Sequence, residues 1–198
     1  MMRLSSLFLV GALMLCGCSH TPPSAPTPAS VAGTTPAKTE QLSLRNNAVS
    51  LLYDLLQDEK NVNKVLLIKH NSAEVGRLID AISHTSGDAS KRLDQMAKAD
   101  PALSLHALEL PAGEKATREA IAHTKEHELL FSSGTNFQFQ LLLTQTDALS
   151  YGWHLSRIAA ENSKSPEQVR AFTQIADSLE NLYGQVITQL KAEAKKTG

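Results

Sequence analysis

The residues best spaced for chemistry lie between positions 119 and 128. Glu119, His123 and His127 recur at intervals of four, so on an α-helix their side chains share one face. Two imidazoles at this spacing can chelate a divalent cation, and a carboxylate on the same face can add a ligand. The string from His123 to His127 also matches H-x-x-E-H, a pattern found in certain zinc hydrolases.

This cluster is a weak basis for an enzyme. Hydrolases with that pattern need a further carboxylate ligand and a large α/β domain, and this chain of 198 residues has neither the length nor the sheet pattern. A solvated polar helix face explains the same residues, and weak metal binding is the alternative. Diiron chemistry needs Glu-x-x-His pairs on facing helices, and the sequence contains none. We therefore predict no catalytic residue, no metal site and no cofactor.

The only two cysteines are Cys16 and Cys18. They follow a positive start and an apolar stretch, residues 4–15, that has the length of a signal-peptide core. The stretch ends in Leu-Cys-Gly-Cys, which resembles the lipobox of bacterial lipoproteins. The resemblance implies cleavage before Cys18 and lipid attachment to it. Ser19, rather than Asp, in the next position implies the outer membrane, with the domain facing the periplasm. An ordinary secretory signal and a buried helix are the alternatives.

We predict three parts: a lipoprotein signal peptide at 1–17, a tether at 18–40 and a helical domain at 41–198. The tether is rich in Pro, Thr, Ser and Ala, a composition that cannot bury a core and favours extended conformations. With Cys16 removed and Cys18 lipidated, the domain has no thiol, so it has neither a disulfide nor a cysteine metal ligand.

The domain is predicted to be all-α because its apolar residues recur at helical spacing and no useful period-two run occurs. The pattern predicts helices at 42–69, 73–99, 114–132, 135–161 and 166–194. The first helix has an inward stripe of Leu44, Ala48, Leu51, Leu55, Val62 and Val65. The last begins at a capping box, Ser165 to Gln168, and turns Val169, Phe172, Leu179 and Val186 inward. Four long helices and one short one indicate a four-helix bundle with an additional helix.

Several short motifs then resemble a bacterial exported family of ferritin-like bundles, the domain of unknown function 4142. They are Asn-Ser-Ala-Glu-Val at 71–75, Thr-Ser-Gly-Asp-Ala-Ser-Lys-Arg-Leu at 85–93, Ser-Ser-Gly-Thr-Asn-Phe at 132–137, and Gln145. The resemblance covers most of residues 42–190. It implies a four-helix bundle in the cell envelope, without an established reaction.

The chain departs from that family at its histidines. The family histidine of the second helix aligns with Ser86, and that of the fourth helix aligns with Ala148 or Leu149. His84 and His154 lie two and about five residues from these positions, so neither returns to the same helix face. We predict that Ser86 and Gln145 form a buried hydrogen bond between helices. A remnant of a metal-ligand shell is the alternative.

Two classes of function remain. The net charge is −1, so no basic surplus attracts phosphate backbones and nucleic-acid binding is not expected. We predict a non-enzymatic envelope module, held to the membrane by its lipid, that has a structural role or binds a protein partner of unknown identity. The alternative is a metal-binding or redox-stress-related ferritin-like bundle that uses helix histidines.

Overall fold

The computed structural model describes residues 36–107 and 110–197 of the chain. The predicted signal peptide and the tether as far as residue 35, including Cys18, lie outside the described residues. Five α-helices follow one another: α1 Pro36–Glu59, α2 Ala73–Ala99, α3 Ala112–Phe131, α4 Gly134–Glu161 and α5 Pro166–Thr197. A 3₁₀ segment, Val62–Leu67, lies between α1 and α2. The described residues contain no β-strand, so the prediction of an all-α domain is confirmed.

Prediction of the first helix was wrong at both ends and in its register. α1 begins at Pro36, within the predicted tether, and ends at Glu59 rather than near 69. It ends where the Asn61 side chain donates to the Gln57 carbonyl at 3.0 Å, a local bond that competes with the next helical turn.

The buried stripe of α1 contains Ala48, Val49, Leu52 and Leu56. Leu44, which we predicted to face inward, is 48% exposed. Leu51 and Leu55 flank the stripe and are half-buried, as are Val62 and Val65 of the 3₁₀ segment. The observed stripe is therefore rotated by one residue, or about 100°, from the predicted one.

Helices α2 and α5 both begin at serine N-caps, and the N-cap of α5 is the one that the capping box predicts. The Ser72 hydroxyl accepts a hydrogen bond from the Val75 amide at 3.3 Å. The Ser165 hydroxyl accepts one from the Gln168 amide at 3.4 Å. Both bonds satisfy amide groups that have no partner in the first turn of a helix. The predicted span of the second helix, 73–99, is confirmed.

Four helices surround one apolar core, which we call the four-helix core: α1 packs against α2 and α4, and α5 packs against the same two helices. Gly152 of α4 lies where three of these helices come close together. A Cβ atom at that position would lie 2.9 Å from Leu55 Cδ2 and 3.0 Å from Leu179 Cδ1. The glycine therefore allows α1, α4 and α5 to meet without displacing either leucine.

The inward residues of the last two helices largely follow the prediction. In α5, Phe172, Leu179 and Val186 are buried, whereas Val169 is half-buried. In α4 the helical spacing predicts Ala148 to face inward, but Ala148 is half-buried and its neighbour Leu149 is buried instead.

Helix α3 packs on the outside of α4. It starts at Ala112 and ends at Phe131, close to the predicted 114–132, and none of its residues is buried. Among the helices of residues 36–107 and 110–197, none combines the length and apolar character needed to cross a bilayer.

Candidate functional site

The polar cluster predicted on the short helix lies on α3, exposed to solvent. Glu119, His123 and His127 all have exposed side chains. Glu119 Oε1 lies 4.0 Å from Lys115 Nζ, and the His127 ring lies 4.3 Å from the Phe131 ring, centroid to centroid. In the described part of the chain, no three His, Cys, Asp or Glu side chains come together in a way that could hold a metal ion.

The two polar residues predicted inside the core are both there. Ser86 is 1% exposed and Gln145 is 2% exposed, but they do not form the predicted bond with each other. The Gln145 side chain instead lies beside the carboxyl group of Glu59 in α1. The Ser86 hydroxyl has no hydrogen-bond partner. The predicted hydrogen bond between Ser86 and Gln145 is therefore wrong, although both residues lie in the core as predicted.

Glu59, which the predicted stripe of α1 does not include, places a carboxyl oxygen inside this core. The residue as a whole is half-buried, but its Oε2 atom is buried and has no partner. Burial raises the pKa of Glu59 to about 7, and the charge of neighbouring Asp58 adds to the rise, while the hydrogen bond with Gln145 lowers it. Desolvation therefore dominates, and the carboxyl exchanges its proton near neutral pH.

A signal for Glu59 was present in the sequence. The buried stripe of α1 runs through Val49, Leu52 and Leu56, and the next position of that stripe is Glu59. An acidic residue at a core position of an amphipathic helix indicates a buried carboxyl group. The predicted stripe instead continues from Leu55 to Val62 and includes neither Asp58 nor Glu59.

Helix α2 presents small hydroxyl residues to the same end of α1. The Ser83 hydroxyl donates to the Lys60 carbonyl at 2.6 Å, and the Gln57 amide donates to the Ser90 hydroxyl at 2.5 Å. Ser86 lies one turn from each of these serines. This face of α2 therefore contributes neutral polar groups, without a charge that could pair with Glu59.

The histidines near the aligned family positions do not enter the core. His84 and His154 are both exposed. The His154 Nδ1 atom lies 2.8 Å from the Ser150 carbonyl of its own helix. Neither residue replaces a histidine at Ser86 or at Leu149.

Four large apolar side chains lie exposed on the surface of the domain. Leu67, Ile68, Leu130 and Phe131, which we call the tip patch, are 84%, 65%, 42% and 77% exposed. The ammonium group of Lys69 donates to the carbonyl of Leu130 and, at 2.9 Å, to that of Ser132. This link places the end of the 3₁₀ segment beside the end of α3.

The tip patch lies beyond the C-terminal end of α1, whereas the chain enters the domain at Pro36. The 24 residues of α1 separate these two ends by about 36 Å. The described domain therefore exposes these four apolar side chains at the end remote from Pro36.

No protein-family model, curated protein sequence or solved structure matches this chain. The resemblance to the domain of unknown function 4142 therefore stays a prediction from the short motifs.

Proposed function

We propose that this protein is a lipid-anchored module of the cell envelope that binds a protein partner through its tip patch. In this proposal Cys18 carries the lipid, residues 19–35 serve as a spacer, and the domain faces the periplasm from the outer membrane. The domain itself is a ferritin-like four-helix bundle, with α3 as the additional helix.

The tip patch is the observation that carries the proposal. The side chains that α1, α2, α4 and α5 turn inward are buried in a continuous core, so the domain does not need Leu67, Ile68 or Phe131 for burial. Large apolar side chains left together in water are unfavourable, and such patches mark interaction sites. Their position at the end remote from Pro36 leaves them accessible when the other end is tethered.

The absence of an evident catalytic constellation is part of this proposal. Inside the core, Gln145 lies beside Glu59, and the buried Arg45 donates to Gln168 at 3.3 Å. The histidines of α3 project into solvent. Binding therefore accounts for the exposed features of this surface without requiring a reaction.

The experiment is photo-cross-linking in intact cells that produce the full chain. A photoreactive phenylalanine analogue replaces Phe131 in one variant and Tyr151 in another. Both residues are exposed aromatics, at 77% and 37%, but Tyr151 lies in α4 outside the tip patch. We expect a discrete adduct from position 131 and none of that mass from position 151. Equal adducts from both positions, or none from 131, would contradict the proposal.

The metal-binding alternative makes a different expectation. If Glu119, His123 and His127 formed its site, protein purified without a histidine tag would keep near one equivalent of iron or zinc after dialysis. Our proposal expects no such retention, because an exposed two-imidazole chelate without supporting groups binds weakly. Retained metal that is lost in both His123→Ala and His127→Ala would favour the alternative.

A further inference from the structure

The side chains of Glu59 and Gln145 meet where α1 ends. Glu59 is the last residue of α1, and its carboxyl group lies beside the Gln145 side chain of α4. One oxygen of each side chain, Glu59 Oε2 and Gln145 Oε1, is buried and has no hydrogen-bond partner. The pair therefore contains two unsatisfied acceptors.

A single proton on Glu59 gives both of these unpaired oxygens a hydrogen-bond partner. An ionised carboxylate and an amide oxygen can only accept hydrogen bonds, so neither can satisfy the other. Once Glu59 is protonated, Oε2 becomes a donor and can bond to Gln145 Oε1, while the Gln145 NH₂ group donates to the other carboxyl oxygen. A carboxylic acid and a primary amide are complementary in this way, with two hydrogen bonds between them.

We propose that Glu59 and Gln145 form a proton-dependent latch, which holds the end of α1 against α4 when protonated and releases the following segment when ionised. The latch is a property of the core and stands whether or not the tip patch binds a partner. If the tip patch also binds a partner, the protonation of Glu59 controls the segment that carries two residues of that patch, Leu67 and Ile68.

The groups around Glu59 favour the protonated form. On α1, the neighbouring Asp58 carries a like charge that raises the pKa of Glu59, and burial raises it further, to about 7. From α4, the facing group is the neutral amide of Gln145. Asp147 of α4 is exposed and pairs with Lys125 of α3 at 2.6 Å.

Helix α2 faces this end of α1 with three neutral hydroxyl residues, Ser83, Ser86 and Ser90. Of its charged and titratable side chains, His84, Asp88 and Lys91 line an outer groove together with Lys60. Asp88 and Lys91 pair with each other at 3.2 Å. The face that α2 turns toward Glu59 therefore offers hydroxyl groups, whereas its charges lie on the solvent side.

The segment after Glu59 is suited to local release. Val62, Val65 and Leu66 of the 3₁₀ segment pack half-buried against the core, but no residue of the segment is fully buried. Its polar attachments to α2 are the bond from Ser83 to the Lys60 carbonyl and an exposed bond of 3.2 Å from Asn63 to Asp80. Segments that are only partly buried open at lower free-energy cost than fully buried core helices, so loss of the latch should act there first.

Hydrogen exchange of the full chain, measured by mass spectrometry from pH 5 to 8 and corrected for chemical exchange, tests the proposal. In the wild type, the opening constant of residues 57–68 should rise by roughly tenfold per pH unit between the ordinary pKa of 4.5 and the native pKa of about 7, then level off. Glu59→Gln should make this opening nearly independent of pH. Glu161→Gln, an exposed acid at the end of α4, should retain the wild-type profile.

Two outcomes overturn the latch: a wild-type profile without this rise, or the same rise in Glu59→Gln. A second measurement does not depend on any variant folding. The ¹³C signal of the Glu59 carboxyl, assigned in the native chain, should titrate near 7. Titration near the ordinary 4.5 would show that the carboxyl is ionised across this pH range and would end the proposal.

Discussion

Arg45 of α1 donates from Nη1 to Gln168 Oε1 of α5 at 3.3 Å. Both residues are buried, with Arg45 only 4% exposed. Arg45 also donates from Nη2 to the Ala102 carbonyl at 2.5 Å, and Gln168 donates to Asp100 Oδ2 at 2.8 Å. Two helices and the loop after α2 are thus joined by one satisfied network, which closes the four-helix core at the end opposite the tip patch.

Loss of the guanidinium in Arg45→Met should lower the free energy of unfolding by about 2–3 kcal/mol, because the partners of Arg45 lose a charged, buried donor. Partial exposure of the Asp100 side chain, 34%, keeps the expected cost below that of a fully buried ion pair. Denaturant unfolding measures this change in the free energy of unfolding. Arg170→Met, at an exposed position of α5, is the control and should change stability by less than about 0.5 kcal/mol. Equal effects of the two substitutions would show that Arg45 has no structural role.

Phe172→Ala and Val169→Ala together test which face of α5 lies in the core. Phe172 is 0% exposed, and removal of its ring should cost about 3–5 kcal/mol, depending on how far the cavity collapses. Val169 is half-buried and should cost about 1 kcal/mol or less. Thermal unfolding of both variants checks the order. An unchanged midpoint for Phe172→Ala would mean that the described face of α5 is incorrect.

The prediction from sequence succeeded where the cap and the apolar stripe agree. Ser72 fixes the start of α2, and Ser165 with Pro166 fixes the start of α5. It failed in α1 because leucines at 51, 52, 55 and 56 support two stripes, one residue apart. Only packing against α2 and α4 decides between those stripes.

The partners of the polar groups in the core could not be predicted either, because they also depend on how the helices pack. Glu59 has its partner 86 residues further along the chain, and Arg45 has Gln168 at a separation of 123 residues. No local spacing connects such positions. Ser86 and Gln145 could be predicted as core residues because each lies on a clear apolar stripe of its helix.

Glu59→Gln should remove a pH dependence from the global stability. The native pKa of about 7 lies above the ordinary 4.5, so the native state binds the proton more tightly than the unfolded state. The stabilisation is complete below about pH 4.5, declines as pH rises toward 7, and is lost above it, which amounts to a fall on the order of 3 kcal/mol.

Denaturant unfolding between pH 5 and 8 measures this fall. The range avoids the titration of Asp100, whose pKa is lowered chiefly by the hydrogen bond from Gln168. That carboxylate stabilises the fold above its ordinary pKa, and its contribution is lost in acid. A wild-type curve that is flat between pH 5 and 8, or an equal slope in Glu59→Gln, would contradict the expected linkage.

Cys18→Ala should abolish lipid attachment. The motivation is the apolar stretch that ends in Leu15-Cys16-Gly17-Cys18. Labelled palmitate should enter the wild-type chain, which should fractionate with membranes, because two or more acyl chains give durable anchoring. Cys16→Ala preserves a small residue ahead of the cleavage position and should remain labelled. Label that persists in Cys18→Ala would rule out Cys18 as the attachment site.

The role of the tip patch is tested most directly by the yield of the adduct from residue 131 in cells, compared between the native patch and the double substitution Leu67→Ser with Ile68→Ser. Because both side chains are mostly exposed, the substitutions should change the free energy of unfolding by no more than about 0.5 kcal/mol. Loss of their apolar contact with a partner should nevertheless weaken binding by 1.4 kcal/mol or more, which lowers affinity by roughly tenfold or more. With the partner subsaturating, we expect the adduct yield to fall by a similar factor at unchanged protein level. An adduct yield that stays the same in the stable double variant would contradict partner binding through the tip patch.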